Sequence, residues 1–519
     1  MSKPTSLAGA LVAMLVVVTA AAREPSRGRL TEREALALAA EKNPSLRAAL
    51  AQLRDAARTV QGEQSRYPWT LGLDGGATRS ASPRLIQGQN VVGEIYTVDA
   101  NAELQRRLRW GTDLTFSLRS VWQNSVTPAS LQFIGVAPNG AIPTIAFSAR
   151  ASINQPLLRG AGAEVTLAPL EVARGQQTQA GRAAERVASA VVRDVRLAYW
   201  DLWYAEEALR IQARSRDVAV EQRDQALMRV KTGSLAPADA LAFETRLATR
   251  EEELSLARVE VERTEVTLAG RIGALGGRDP LGAPGDVPPD LPPAPDATTE
   301  EREALAVSPE LGDLRAALEV AKLQRRTAGD ANRPRLDASA FLQLDGLGSA
   351  DAGAALEQLA TLGAWSAYAG LSFDAPLDGG RRTADIGRAN AAIELAEARL
   401  EERRQLLLTE LRTAAAREEG ARRRLTLGEA TAERARQQLD AETQRYATGS
   451  STPLLVLQAE DDLRNARLRV ARARLDVLGQ AIVREHLAGR LLARHAELFD
   501  AQLGASEARI RGVFEAAAY

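Results

Sequence analysis

Cysteine is absent from the 519-residue chain, histidine occurs twice, and aromatic residues make up 4% of it. Without cysteine, the chain can form no disulfide, iron–sulfur cluster or cysteine-based zinc site, and it cannot carry a lipid on an N-terminal cysteine. An excess of one charge is also missing, because 66 Lys and Arg residues face 67 Asp and Glu residues. This balance argues against a general nucleic-acid-binding protein, which carries a basic excess.

Motifs for catalysis and for cofactor binding are missing as well. The two histidines, His486 and His495, lie nine residues apart, which is not the spacing of a metal-binding H-E-x-x-H motif. No nucleophile elbow, phosphate-binding loop or dinucleotide fingerprint occurs in a strand–turn–helix context. We therefore predict that the protein is not an enzyme and uses no metal or cofactor.

The first 22 residues have the composition of an export signal. An apolar run at residues 7–19 follows Lys3 and ends in three alanines, Ala20, Ala21 and Ala22. A short apolar run with small residues behind it is typical of a cleaved signal peptide, although an uncleaved anchor or a buried helix is an alternative. No later segment reaches the roughly 20 apolar residues of a membrane-spanning helix. We expect an exported protein without a transmembrane helix.

Three motifs occur twice in the same order, which indicates an internal duplication. The motif pairs are residues 43–46 and 308–311, residues 152–157 and 372–377, and residues 229–237 and 445–453. The last pair reads RVKTGSLAP and RYATGSSTP. We predict a signal peptide at 1–22, a first repeat at 23–277, a proline-rich connector at 278–298, a second repeat at 299–498 and a C-terminal tail at 499–519.

Each repeat is predicted to contain the same four elements. A helix comes first, a strand-rich segment follows, and a very long helix and a returning helix then form a hairpin. The predicted elements are at 31–66, about 68–156, 165–231 and 238–272 in the first repeat, and at 299–328, about 334–376, 383–447 and 454–498 in the second. At 1.5 Å per residue the long helices span roughly 100 Å, and their seven-residue apolar spacing is typical of coiled coils.

The two strand-rich segments hold most of the aromatic residues. Apolar and polar residues alternate in them, which predicts strands with two different faces. Aromatic residues at the strand ends resemble the girdle of a membrane β-barrel. We assign to this girdle Trp69, Tyr96, Trp122, Trp365, Tyr368 and Phe373. An ordinary antiparallel sheet with one apolar side is the alternative.

A barrel has to close, because unpaired strand edges are not tolerated in lipid. The sequence predicts roughly four to six strands per chain, too few for the smallest usual barrel, so we expect closure by oligomerisation. The first strand-rich segment is the longer of the two and holds an additional hairpin near Trp110 and Gly111. This hairpin is either an outer loop or two further strands.

The export signal, the duplicated strand–helix plan, the paired turn motifs and the long antiparallel helices together resemble the TolC family of outer-membrane efflux proteins. The resemblance covers about residues 30–498. It implies a homotrimer with one β-barrel in the cell outer membrane and a periplasmic α-barrel of long helices, with the connector at 278–298 in the equatorial belt. It also implies an exit duct for drugs, metal ions or proteins, which works with a periplasmic adaptor protein and an inner-membrane pump of the resistance–nodulation–division or ABC type.

The repeated turns are then expected to form the periplasmic tip of the helices. Glycine allows a positive φ directly after a helix, and proline fits the first turn of the helix that follows. We assign the adaptor contact to the residues of both turns, which are Arg229, Gly233, Pro237, Arg445, Gly449 and Pro453. Plain helix-hairpin turns explain the glycines and prolines equally well.

Four residues near the tip are candidates for a gate. Asp239 and Tyr446 match positions that can hold neighbouring helices closed in the family, and we hypothesise a hydrogen bond between them, within or between chains. A helix-start carboxylate is the alternative role of Asp239. Some relatives carry two aspartates that face the pore where this chain has Leu455 and Gln458. Three copies of Leu455 would form a hydrophobic constriction instead of an acidic ring.

Three further alternatives stay open. Leu455 could pack in the helix core instead of forming a gate. An acidic ring could be displaced to one of three residues that follow, Glu460, Asp461 and Asp462. An exported structural coiled-coil protein without channel activity would explain the heptads, but it would not explain the alternating strands.

Overall fold

The computed structural model describes residues 29–86, 89–126, 141–275, 281–289, 296–349, 351–375, 377 and 379–499. The predicted signal peptide, parts of the predicted connector and almost the whole predicted C-terminal tail lie outside the described residues. Within this described part of the chain, no helix combines the length and the apolar character needed to cross a membrane.

Helices and strands follow one another in two similar blocks. The first block contains α1 (Glu32–Lys42), α2 (Pro44–Gln64), β1 (Thr70–Ile86), β2 (Gln89–Arg107), β3 (Asp113–Val126), β4 (Ala141–Pro156), α3 (Ala163–Thr166), α4 (Ala168–Lys231) and α5 (Pro237–Ile272). The second contains α6 (Ala297–Val307), α7 (Pro309–Ala331), β5 (Arg335–Ser349), α8 (Ala352–Ala360), β6 (Trp365–Asp374), α9 (Gly380–Ala447), α10 (Pro453–Leu487) and α11 (Leu491–Arg494).

The first helix of each block is broken in two, whereas the sequence predicted one continuous helix at 31–66 and at 299–328. The breaks fall at Asn43 and Ser308, which both precede a proline and have extended backbone, with ψ of 122° and 123°. A residue before proline is kept out of the helical region by a clash with the proline ring. Asn43 also caps α2, since its Oδ1 accepts from the N–H of Leu46 at 3.0 Å.

The second returning helix is shorter than predicted. It ends at Leu487 and not at residue 498, and the short helix α11 follows. The chain turns at Gly489, where φ is +74° and where a Cβ would lie 3.1 Å from the carbonyl oxygen of Val307. This turn brings α11 back against α4.

Two long helical hairpins dominate the molecule. Helices α4 and α9 have 64 and 68 residues, which makes each roughly 100 Å long at 1.5 Å per residue. Helix α5 packs along α4, α10 packs along α9, and α10 also contacts α4. The seven-residue spacing predicted for α9 is visible in the buried residues Leu407, Ala414 and Ala421.

All six described strands form one antiparallel sheet in the order β1 to β6. The additional hairpin predicted near Trp110 consists of two further strands, because residues 108–112 form a short turn between β2 and β3. In this turn Gly111 has a φ of +94°, and the N–H of Leu108 donates to the carbonyl of Thr112 at 2.8 Å. Among the described residues, β1 and β6 each pair on one side only, so the sheet has two open edges.

The main hydrophobic core lies where α1, α2, α5, α10 and α11 meet the middle of α4. Its largest side chains are Tyr199 and Trp200, which are 0% and 1% exposed and contact each other edge to face.

The described part of the connector, residues 281–289, packs against this core. The N–H of Gly285 donates to the carbonyl of Leu30 at 2.8 Å. The hydroxyl of Tyr199 donates to the carboxylate of Asp286, also at 2.8 Å. Burial raises the pKa of Tyr199, which keeps its hydroxyl protonated as a donor.

Candidate functional site: a two-faced sheet and the helical tip

One face of the sheet is a continuous apolar surface. The strand register aligns Leu71, Leu104, Phe116, Ala151 and Leu342 in one row, and Leu73, Ala102, Leu118, Ala149 and Leu344 in the next row on the same face. A shallow groove of about 370 Å³ runs between these side chains. Leu73 and Leu371 are 75% and 72% exposed. A contiguous apolar surface of this kind marks contact with lipid or with another protein.

The opposite face of the sheet is polar. Its rows contain Gly72, Glu103, Ser117, Arg150, Gln343 and Ser366, followed by Asp74, Asn101, Arg119, Ser148 and Asp345. These side chains pair across the strands, for example Asn101 with Asp74 at 3.1 Å and Arg119 with Asp99 at 3.9 Å. A sheet with one apolar and one polar face can separate lipid from water.

The register separates the six residues assigned to the aromatic girdle. Four of them lie on the apolar face: Tyr96, Trp122, Trp365 and Phe373. Trp69, just before β1, contacts Phe116 of the same face with ring centroids 6.0 Å apart. Tyr368 lies on the polar face instead, because side chains alternate along β6 and Tyr368 differs by an odd number of positions from Trp365. There it stacks on Phe341 with ring centroids 5.4 Å apart. The guanidinium of Arg150 lies over the Phe341 ring, 3.7 Å from the ring centre. Tyr368 is thus separated from the other five residues, and its place in a girdle stays a prediction.

The two tip turns have the same hydrogen bonds. After α4, the N–H of Ser234 donates to the carbonyl of Arg229 at 2.9 Å, and after α9, the N–H of Ser450 donates to the carbonyl of Arg445 at 2.9 Å. The glycine before each serine has a positive φ, 72° at Gly233 and 76° at Gly449. This bond pattern is the Schellman motif, which satisfies carbonyl groups at a helix end. Both following helices begin with the predicted prolines, Pro237 and Pro453.

At the tip, Tyr446 contacts Arg229 of α4. The guanidinium of Arg229 donates a hydrogen bond to the Tyr446 hydroxyl and lies 5.0 Å from the centre of its ring. Asp239 is exposed in the first turn of α5. In the part of the tip that the structure describes, no hydrogen bond joins it to Tyr446 within the chain. The hypothesised bond between chains stays a prediction.

Leu455 and Gln458 both lie on an exposed side of α10. Leu455 is 46% exposed, whereas the adjacent residues Val456 and Leu457 are 8% and 6% exposed. Core packing within one chain therefore does not account for Leu455.

An ion-pair cluster behind the tip was not predicted from the sequence. The carboxylate of Asp461 on α10 accepts from Arg246 on α5 at 2.9 Å and from Arg250, which is 4% exposed. Glu253 on α5 binds Arg464 of α10 in turn. Repeated arginines on one side of α5 were the available signal, but their partners lie about 211 positions away in the sequence.

This cluster reduces the number of residues that could form the displaced acidic ring. Glu460 lies 3.6 Å from Arg246 and accepts from Gln222 at 2.6 Å, and burial raises its pKa. Glu460 and Asp461 are thus engaged within the chain, and of the three acidic residues only Asp462 is exposed. Among the described residues, no group of three or more His, Asp or Glu side chains could hold a metal ion.

Comparison with solved structures finds the same fold in several proteins. VceC, an outer membrane protein of Vibrio cholerae, is 17% identical with a TM-score of 0.61, over 88% of this chain and 96% of that one. The Campylobacter jejuni CmeC outer membrane channel is 13% identical with a TM-score of 0.64, over 90% and 89%. The Neisseria gonorrhoeae MtrE outer membrane channel is 17% identical with a TM-score of 0.62, over 89% of both chains.

The mainly helical fold with its two-faced sheet is the fold of these outer-membrane channels. Residues 302–483, which run from α6 to α10, match the family described as outer membrane efflux protein. The predicted resemblance to the TolC family is thereby confirmed, and the predicted location in the outer membrane agrees with both comparisons. A search of curated protein sequences finds no match.

Proposed function

We propose that three copies of this chain form the exit duct of a tripartite efflux or secretion system. The duct carries substrates from the periplasm or from an inner-membrane pump to the outside. Its other partners are a periplasmic adaptor protein and a pump of the resistance–nodulation–division or ABC type. The two repeats at 23–277 and 299–498 supply equivalent parts of the wall, and the connector at 278–298 lies in the equatorial belt.

The observation that carries this proposal is the open two-faced sheet. The sheet of six strands has one apolar face and two open edges. These edges cannot remain unpaired in lipid, where every backbone polar group needs a partner. The first and last strands run in opposite directions along the sheet, so the β6 edge of one copy can pair antiparallel with the β1 edge of the next. Three copies would give a barrel of eighteen strands, within the range of known membrane barrels.

The polar face would then line the lumen, and the helical hairpins would continue the duct for roughly 100 Å. That length suits the crossing of the periplasm towards an inner-membrane partner. The adaptor is proposed to contact the two tip turns through Arg229, Gly233, Pro237, Arg445, Gly449 and Pro453. Their matching hydrogen bonds support this, because they give the adaptor two similar surfaces on each chain.

The gate is proposed to lie at the same tip and to include Asp239, Tyr446, Leu455 and Gln458. The exposure of Leu455 supports a hydrophobic constriction, which closes a pore by excluding water. The MtrE structure is that of an open state, which supports a duct that opens and closes.

Cell fractionation and single-channel recording test the proposal. We expect a detergent-extracted trimer in the outer-membrane fraction and a small basal conductance in planar bilayers. Leu455→Ala widens the constriction and should raise that basal conductance, whereas Leu454→Ala, at an adjacent exposed position, serves as the control. A soluble filament would instead support the structural coiled-coil protein, and unchanged conductance in Leu455→Ala would remove Leu455 from the proposed gate.

A further inference from the structure

A short helix lies on the apolar face of the sheet. Helix α8 interrupts the β5–β6 hairpin and contacts β5 and β4. Beneath it are Gly346 and Gly348, which share the apolar face with Leu342 and Leu344 because side chains alternate along β5. A Cβ at either glycine would lie 2.0 Å from a carbonyl oxygen of the α8 segment, that of Ala355 or that of Asp351. Only glycine lets the helix backbone approach the strand so closely.

Helix α8 is fixed to the sheet by further contacts. Ala355 is fully buried, and the carboxylate of Asp351 caps the helix by accepting from the N–H of Gly353 at 2.8 Å. Strand β6 pairs with β5 only as far as Leu344. Beyond that point the N–H of Leu347 donates to the side chain of Gln358 at 2.9 Å. The helix therefore takes over the edge of β5 where its neighbouring strand has ended.

The position of α8 along the strands matches one boundary of an apolar band. Phe373 pairs with Leu336 near the helical end of the sheet, and Gly346 lies ten residues further along β5. Ten strand residues tilted by about 40° rise about 25 Å, the height of the apolar band of outer-membrane barrels. Gly348 also shares a row with Ile145 and Trp122, a residue assigned to the aromatic girdle.

The outer surface of α8 is apolar. Leu356 is 48% exposed, and Leu362, just after the helix, is 59% exposed. Glu357 is the single charged residue within the helix. This surface continues the exposed leucines of the sheet, which flank the groove of about 370 Å³ on the same face.

We propose that α8 is an interfacial helix whose Leu356 side inserts among membrane lipids at the outer boundary of the apolar band. The inference rests on the proposed barrel, because the sheet itself has to face lipid for α8 to reach it. An apolar helix side lying in the interface plane adds anchoring in proportion to the apolar area that it buries. The glycines at 346 and 348 are then required so that the helix lies flat against the barrel wall.

Nitroxide accessibility tests the inference, and the absence of cysteine makes every engineered cysteine unique. The variants Leu356→Cys, Leu342→Cys and Gln343→Cys are labelled and reconstituted in vesicles of phosphatidylethanolamine and phosphatidylglycerol. Collisions with oxygen report lipid exposure, and collisions with a water-soluble nickel chelate report water exposure. We expect the oxygen-to-nickel ratio to exceed one at Leu356→Cys and at the sheet control Leu342→Cys, and to fall below one at Gln343→Cys on the polar face.

Three outcomes separate the possibilities. A label at Leu356→Cys that is shielded from both reagents places a second copy of the chain over α8, and a label open to nickel places α8 in water; either result overturns the inference while Leu342→Cys still reports lipid. Loss of the lipid signal at Leu342→Cys would instead overturn the proposed barrel.

A second variant tests the role of the glycines. Adding Gly346→Leu should abolish the lipid signal of Leu356→Cys and leave that of Leu342→Cys unchanged. An unchanged Leu356→Cys signal would show that Gly346 is not needed to dock the helix.

Discussion

Tyr446 lies in the last turn of α9 beside Arg229 of α4, although the sequence suggested Asp239 as its partner. The sequence motif places all three residues at the tip, but it does not specify how the two hairpins pack against each other. In the structure α10 contacts α4, which brings the ends of α4 and α9 together. The Arg229 guanidinium then contacts both the ring face and the hydroxyl of Tyr446.

This contact predicts that variants of Arg229 and Tyr446 raise the leak of the closed channel by different amounts. An exposed cation–π contact and a hydrogen bond to a charged donor together contribute about 1–2 kcal/mol. Arg229→Gln removes both and should raise the closed-state leak in planar bilayers about tenfold. Tyr446→Phe keeps the ring and should raise it less. Arg445→Gln is the matched control, because Arg445 occupies the equivalent turn and pairs with Glu442 at 3.0 Å.

Two results would contradict this role of Arg229. An unchanged leak in both Arg229→Gln and Tyr446→Phe would remove the contact from the gate. A larger leak in Asp239→Asn than in Arg229→Gln would favour the bond between chains, in which Tyr446 binds Asp239 of a neighbouring copy.

His486 predicts a dependence of stability on pH. It is 5% exposed, its Nδ1 lies 2.8 Å from the Ser189 hydroxyl, and burial lowers its pKa to about 4. The unfolded chain, with an ordinary histidine pKa, binds a proton below about pH 6.5 while the folded chain does not, so folding stability falls as pH decreases from about 6.5 to about 4. At pH 5 the loss amounts to about 2 kcal/mol.

Thermal unfolding in detergent at pH 7.5 and pH 5 measures this effect. His486→Gln keeps a hydrogen-bond acceptor for Ser189 but has no proton to bind, so its unfolding temperature should fall less between the two pH values. His495, whose pKa burial also lowers to about 4, remains in both proteins and cancels in the comparison. An equal fall in both proteins would assign the pH dependence to other groups.

At the scale of helices and strands, features set by neighbouring residues could be predicted from the sequence, whereas contacts between distant segments could not. Gly233 and Gly449 could be predicted as turns because glycine tolerates the positive φ of a helix end. The break at Asn43 was missed, although the proline after it was visible, because the apolar pattern runs on across the break. The side of the sheet on which Tyr368 lies was also missed, since it depends on the exact register of β6.

Contacts between the hairpins were missed for a different reason. Arg250 and Asp461 lie about 211 positions apart, and surface charges on long helices usually indicate a solvated face. Only the packing of α5 near α10 shows that Arg250 is buried and paired with Asp461. The proposed gate residues could therefore be placed near the hairpin turns from the sequence, but their contact partners could not be predicted.

The Asp461 cluster predicts that α5 and α10 are held together just behind the tip. Asp461→Asn would leave the buried Arg250 with Glu253 as a partner at 2.5 Å and weaken its tie to α10. Removing one partner of a buried ion pair costs about 3–5 kcal/mol, and the 32% exposure of the Asp461 side chain reduces this to about 1–2 kcal/mol. Hydrogen–deuterium exchange should become faster in α5 and α10 near the tip.

The neighbouring variant Asp462→Asn is the matched control, because Asp462 is exposed on the same helix. Equal exchange in the two variants would mean that the cluster does not hold the hairpins together. Faster exchange limited to Asp461→Asn, with a higher closed-state leak, would make the cluster part of the gate.

At the scale of the whole molecule, the balanced charge has a structural basis. Ionic side chains also lie in the interior, where Arg484 joins Glu300 at 3.4 Å and Glu418 at 3.2 Å. The two carboxylates are 2% and 1% exposed, so they have to be paired with cations. The apolar surface is concentrated on the sheet instead, and this division fits a molecule with one end in lipid and the other in water.

Closure of the sheet by three copies gives the last prediction. Within one chain, β1 and β6 lie at opposite edges of the sheet, about 24 Å apart at roughly 4.8 Å per strand, which is too far for a disulfide. Chains that carry Leu371→Cys in β6 together with a cysteine at position 71, 73 or 77 in β1 can therefore form disulfides only between copies. Oxidation in the membrane should give covalent dimers and trimers and then stop, because a closed ring has no free edge left.

Chains with only one of the two cysteines are the controls and should stay monomeric on a denaturing gel. A ladder of products that continues beyond three chains would show that the sheets join in an open array, and the absence of cross-links at every β1 position would show that these edges do not meet.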